Sequence, residues 1–136
     1  MKQRFIFTFP TETIDIPVSW HLIRDFGLKL NIFNAYINSG EEGNLALELD
    51  GERSAISAGI QFVRSKGVLA DPIEKHISIC NESCIHCGAC TAVCYPGALK
   101  LSAASRLLSF NADKCTVCEL CTTACPLRLI KIRFVE

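Results

Sequence analysis

The stretch CIHCGACTAVCYP, residues 84–96, sets cysteines at 84, 87, 90 and 94, and CTVCELCTTACP, residues 115–126, sets them again at 115, 118, 121 and 125. Each cysteine of the first run recurs in the second at an offset of 31 positions, so the segment is an internal duplication. Two-residue gaps let one tight loop turn three thiolates inward onto adjacent corners of a cubic centre. Zinc takes two separated CxxC pairs, which leaves a third cysteine three positions on without a role. The spacing therefore predicts two 4Fe-4S clusters, and with no ligand missing from either run it predicts no three-iron variant.

Working outward, the chain has 136 residues and nine cysteines, none before Cys80. A length that suits one ordinary domain or two small ones, with thiols confined to one end, predicts two units, 1–74 and 75–136, the second needing staples for its small core. Residues 1–74 carry seven Lys/Arg against ten Asp/Glu, and residues 75–136 seven against four. That is no basic surface of a nucleic-acid binder, and a bound anionic cluster would offset the second excess. The apolar stretch after Arg4 is too short for a secretory signal and is broken by Pro10 and Glu12. The longest uncharged run, Ser83–Leu99, contains Pro96 and is no membrane span. The expectation is a cytoplasmic protein, and the odd cysteine count argues against a disulfide scaffold.

In the first half, Phe5, Phe7 and Phe9 alternate with Ile6 and Thr8 into a strand that Pro10 stops. Val18, Leu22, Ile23 and Phe26 follow Pro17 at helical spacing, and Gly27 offers a left-handed cap, predicting a helix over 16–26. Leu28, Leu30 and Ile32 begin a strand that runs to Tyr36; SGEEG turns, and Leu45, Leu47 and Leu49 alternate back. Ile56, Ile60 and Val63 mark a helix within Glu52–Lys66, and Val68–Glu74 supplies a last strand. The order βαββαβ predicts an α+β ferredoxin-like sandwich with both helices on one face of a four-stranded antiparallel sheet.

The residues PVSWHLIRDFGLKLNIFNAYINSGEEGNLALELDG and AISAGIQFVRSKGV resemble the NIL domain, an ACT-like module at the tail of methionine-importer ATPase subunits. Of its Asn-Ile-Leu triplet, Asn31-Ile32-Phe33 keeps two. The resemblance implies a homodimer or a sulfur amino acid site; the plainer reading is a docking module with Asn31 as a strand-edge turn residue. His21 and Trp20 are expected to be packing or surface residues.

From about Lys75 to Val135 the chain resembles two-cluster bacterial ferredoxins, in which the fourth cysteine of each run serves the other cluster. The resemblance implies cluster 1 on Cys84, Cys87, Cys90 and Cys125, and cluster 2 on Cys115, Cys118, Cys121 and Cys94. Tyr95, not proline, follows Cys94, and Glu119 stands where the first loop has Gly88; neither change removes a ligand. Short strands are expected at Glu74–Ile79 with Leu129–Phe134, and at Ala98–Leu101 with Leu107–Phe110. Cys80 lies outside the repeat and reads as a small buried strand cysteine or a sulfur carrier. His86 reads as an exposed loop residue or a tuner of potential, and Tyr95 as packing or an aromatic shield.

No nucleotide fingerprint and no acid–base constellation appears, so the chain reads as an electron carrier for another protein rather than an enzyme alone. The fused order resembles a family of anaerobe proteins associated with homocysteine and methionine biosynthesis. That resemblance implies low-potential electrons delivered to a partner that puts sulfide-derived sulfur onto aspartate semialdehyde. The alternatives are a redox subunit that senses methionine or a related thiol, and a generic ferredoxin with a docking or dimerisation domain.

Overall fold

The structure, a computed structural model, describes residues 1–38 and 40–133. Ser39 of the expected turn and Phe134 of the expected last strand lie outside the described residues. The chain forms two compact units, Met1–Pro72 and a second from Ile73 onward.

The first unit is the βαββαβ sandwich: β1 (Lys2–Phe9), α1 (Val18–Arg24), β2 (Lys29–Tyr36), β3 (Gly43–Asp50), α2 (Arg53–Ser65) and β4 (Leu69–Pro72). Its antiparallel sheet runs β2-β3-β1-β4. Pairing of Phe5 with Leu47 and Phe7 with Leu45 puts the alternating apolar set of two strands on one face. That face meets Val18, Leu22, Ile56, Ile60 and Val63 from the helices, and Phe7, Leu47, Leu22 and Val63 are wholly buried. Each such side chain contributes about 1.5–3 kcal/mol by leaving water.

The helix expected over 16–26 is shorter. Proline has no N–H and Pro17 serves as the N-cap, while Gly27 at φ +64 turns the chain so that the Leu28 N–H reaches Leu22 O at 3.2 Å. Asn31 lies on the edge strand β2, opposite Glu48, so its strand-edge place holds and the turn part of the reading is corrected. Phe33 occupies a bulge between Ile32 and Asn34, with the Arg4 guanidinium 4.3 Å above its ring and bonded to Glu48 at 3.0 Å. His21 bonds Asp25 at 2.9 Å and packs its ring 5.1 Å from Phe62, while Trp20 is half exposed under Arg24.

The second unit is made of two small hairpin-like halves. β5 (Ile77–Ile79) pairs with β8 (Ile130–Ile132), and β6 (Leu99–Leu101) with β7 (Leu108–Phe110). Two one-turn helices, α3 (Ala89–Val93) and α4 (Leu120–Ala124), carry the middle cysteines. Its apolar core is small: Cys90, Leu99 and Ile130 are buried, with Ile79, Leu108, Phe110, Cys94, Cys121 and Cys125 packed partly against them.

Candidate iron-sulfur site

The duplication is written in the backbone as well as the sequence. His86 and Val117 both sit at φ 55, Gly88 at 80 and Glu119 at 67, Gly97 at 77 and Arg128 at 55. Each pair is 31 positions apart, so both loops wind through the same left-handed steps. For Val117, β-branched, and for Glu119 these conformations are costly and are held by the surrounding loop. The winding turns backbone donors onto sulfur: His86 N–H to Cys84 Sγ and Val117 N–H to Cys115 Sγ, both 3.4 Å, and Leu129 N–H to Cys125 Sγ at 3.5 Å.

Two cavities result. One is lined by Cys84, Cys87, Cys90 and Cys125, with Ile85, His86, Leu108, Leu127 and Leu129. The other is lined by Cys115, Cys118, Cys121 and Cys94, with Val117, Leu99, Phe110 and Ile130. They enclose about 400 and 430 Å³ of space free of protein atoms, part of it open to solvent. Among the described residues no three Cys, His or carboxylate groups converge on a point as one metal ion would require; the thiols stand around the cavity walls instead.

The electrostatics follow the same grouping. Burial, then the charges of Cys115, Cys118 and Cys94, push the Cys121 thiol up to about 11. Burial likewise raises Cys90, with Cys125 and Cys84 adding to the shift. The Leu129 N–H lowers Cys125. Four thiolates confined in one apolar pocket repel one another and want a cation or a cluster between them. The donor set, the apolar walls and the backbone N–H groups aimed at sulfur all suit an iron-sulfur group.

Four residues singled out above take places the sequence did not show. Cys80 is exposed just past β5 and lines neither cavity, so it is not a buried strand cysteine; hydrogen bonds from Ser83 lower its pKa. His86 is half-buried, not an exposed loop residue, and its Nδ1 accepts the Leu108 N–H at 2.9 Å, clamping the first loop to β7. Nδ1 is thereby the unprotonated ring nitrogen. Tyr95 is 74% exposed and reaches Thr116 through its hydroxyl at 3.2 Å, so it neither packs in the core nor covers a cavity but ties the Cys94 segment to the second loop. Glu119 lines the second cavity in the position that Gly88 holds at the first.

Comparison with known proteins agrees with this anatomy. Residues 3–71, about half of the chain, match the NIL domain family, and residues 83–128 match the 4Fe-4S dicluster domain. The chain is 32% identical over 94 residues to the L-aspartate semialdehyde sulfurtransferase iron-sulfur subunit of Methanocaldococcus jannaschii, covering 69% of this chain and 70% of that one. The subunit of the same name from Methanosarcina acetivorans is 30% identical over the same shares of both chains. Among solved structures, the C-terminal domain of an ABC transporter ATP-binding protein from Enterococcus faecalis aligns over 52% of this chain and 82% of that one, at 23% identity and a TM-score of 0.49. No described helix is long and apolar enough to cross a membrane. The chain thus belongs to the family that joins a NIL domain to a 4Fe-4S dicluster ferredoxin domain, alongside the two archaeal iron-sulfur subunits.

Proposed function

We propose that the chain holds two 4Fe-4S clusters, cluster 1 on Cys84, Cys87, Cys90 and Cys125 and cluster 2 on Cys115, Cys118, Cys121 and Cys94, and carries low-potential electrons to a sulfur-transferring enzyme. The observation that supports this most directly is that four thiols line each of the two cavities. When bound, each such cluster takes up and returns one electron. The protein's part is to position the thiolates, to soften their charge through the N–H groups of His86, Val117 and Leu129, and to keep water out with Leu99, Leu108, Phe110 and Ile130.

The relatives' name gives a sulfurtransferase and L-aspartate semialdehyde, and the family resemblance noted above adds sulfide-derived sulfur and homocysteine. Converting the aldehyde of aspartate semialdehyde to the thiol of homocysteine with hydrogen sulfide releases water and consumes two electrons and two protons. A carrier with two one-electron centres matches that demand. In this reading residues 75–136 form the carrier, and residues 1–74 dock the partner, dimerise or sense the sulfur amino acid product.

The test is anaerobic reconstitution with the sulfurtransferase subunit, aspartate semialdehyde, sulfide and a low-potential reductant. Homocysteine should form at a rate that depends on this chain and drops when Cys87 or Cys118 is replaced by Ser. Equal turnover without the chain would overturn the reading.

A further inference from the structure

The two cavities are related by the duplication, yet their surroundings differ. Cys87 is the one exposed thiol among the eight; its counterpart Cys118 is half-buried. Ile85 and Leu127 line the first cavity and are still 66% and 49% exposed, whereas the corresponding positions at the second cavity are Thr116 and Pro96, both half-buried. The first cavity's apolar surroundings extend onto the neighbouring hairpin. Leu101 Cδ1 lies 2.9 Å from where a β-carbon on Gly88 would stand, and Leu101 is itself exposed. Around the second cavity the exposed apolar side chains near in sequence, Tyr95 and Leu120, do not line it.

Charge separates the two sides further. Arg106, whose N–H bonds Ser102 O at 2.8 Å in the turn after Leu101, and Arg128, which follows Leu127, are exposed and make no ion pair among the described residues. Glu82 is the one carboxylate close by in sequence, whereas the second cavity carries Glu119 in its wall, with Asp113 upstream. Uncovered apolar side chains with a polar rim mark an interaction surface, and electron exchange needs the partner within close reach of a cluster ligand.

We propose that the face formed by Ile85, Cys87, Leu101 and Leu127 is where the electron-exchange partner docks, and that this partner presents an apolar centre with an acidic rim. Electrons then cross the interface at the Cys84, Cys87, Cys90 and Cys125 set, and the Cys94, Cys115, Cys118 and Cys121 set is the inner station. This rests on the carrier reading above and adds which end of the wire is the contact. The guanidinium groups steer the encounter, and the apolar side chains hold it.

The experiment uses the full chain loaded with clusters under anaerobic conditions, with the same organism's sulfurtransferase subunit as the probe. Affinity and the rate of electron transfer to it are measured for Ile85→Asp and Leu127→Asp, with Leu120→Asp and Tyr95→Ser as matched changes at the other end. Iron content and midpoint potentials are measured alongside, and Ile85→Ser replaces the aspartate variant if that one fails to load. Supporting results are binding weakened about tenfold or more by the first pair and less than about twofold by the second, with iron content unchanged. The uncharged Ile85→Ser and Leu127→Ser should show the same order of loss, which separates lost docking from a shifted potential. Arg106→Glu and Arg128→Glu should slow association and flatten its salt dependence. Weakening by the second pair alone would overturn the choice of face while leaving the carrier function standing. A self-associated chain that Ile85→Asp dissolves would overturn it in favour of a second copy as occupant. If the unaltered chain neither binds nor reduces the sulfurtransferase, the carrier reading itself fails, and this partner with it.

Discussion

Cys94 shares its cavity with Cys121, although Cys90 is only four positions before it and lines the other cavity. The separation is produced by α3, whose single turn leaves Cys90 at its buried side and whose end at Cys94 (φ −82, ψ 82) leads the chain away from the first loop. Iron analysis of paired variants reads this arrangement out. Cys94→Ser combined with Cys115→Ser should leave about four irons per chain, no fewer than either single change, because in the proposed ligand sets both act on one cluster. Cys94→Ser combined with Cys84→Ser should leave close to none. Equal losses in the two double variants would contradict the crossed ligand sets.

Glu119 holds a left-handed conformation at φ 67 where its counterpart is Gly88. A side chain there costs about 1 kcal/mol relative to glycine. Glu119→Gly should raise stability by about that amount in denaturant unfolding of the loaded protein. Gly88→Ala should lower it, since φ is +80 and the new β-carbon would meet Leu101 at 2.9 Å.

The hydrogen bond from Leu108 N–H to His86 Nδ1, 2.9 Å, fastens the first cluster loop to β7. Removing the acceptor leaves a part-buried donor unpaired, at about 1–3 kcal/mol. His86→Ala should speed loss of the Cys84 set's cluster on exposure to a chelator, while the other cluster leaves at the unaltered rate. His86→Asn, which can present an acceptor, should recover part of the difference.

Cluster loading should depend on pH with a definite sign. With its thiol pushed up to about 11, Cys121 in the cluster-free chain is thiolate only to about one part in a thousand at pH 8, and its proton must leave before iron binds. Reconstitution followed by visible absorption should therefore slow as pH falls from 9 to 7. Cys121 keeps its proton up to about 11 when folded but gives it up near the ordinary cysteine value of about 8.5 when unfolded. The cluster-free fold should accordingly lose stability as pH rises between those two values, which circular dichroism can follow.

Gly59 is buried in α2, and a β-carbon there would stand 2.9 Å from Leu22 and 3.2 Å from Leu28. Alanine would gain about 1 kcal/mol of helix propensity but overpack a closed core at about 1–3 kcal/mol. Since Leu22 and Leu28 are both almost fully buried, Gly59→Ala should destabilise the first unit, read as a lower denaturation midpoint.

Local periodicity determined much of this protein. The alternation of Phe5, Phe7 and Phe9, the helical spacing of Ile56, Ile60 and Val63, and the repeated cysteine spacing are properties of neighbouring residues, and the strand, the helix face and the cluster loops follow from backbone geometry alone. The places of Cys80, His86, Tyr95 and Phe33 were not legible in the same way. Each depends on a partner brought from elsewhere by strand register: β7 brings Leu108 to His86, the second loop brings Thr116 to Tyr95, and β1 brings Arg4 over Phe33. The left-handed backbone at Val117 and Glu119 was hidden for a related reason. Neither side chain favours it locally, and only the loop's closure around its cavity overrides that preference. The difference between the two cavities' outer faces is likewise a tertiary result, because exposure of Ile85, Leu101 and Leu127 depends on what the fold leaves beside them, which no spacing along the chain records.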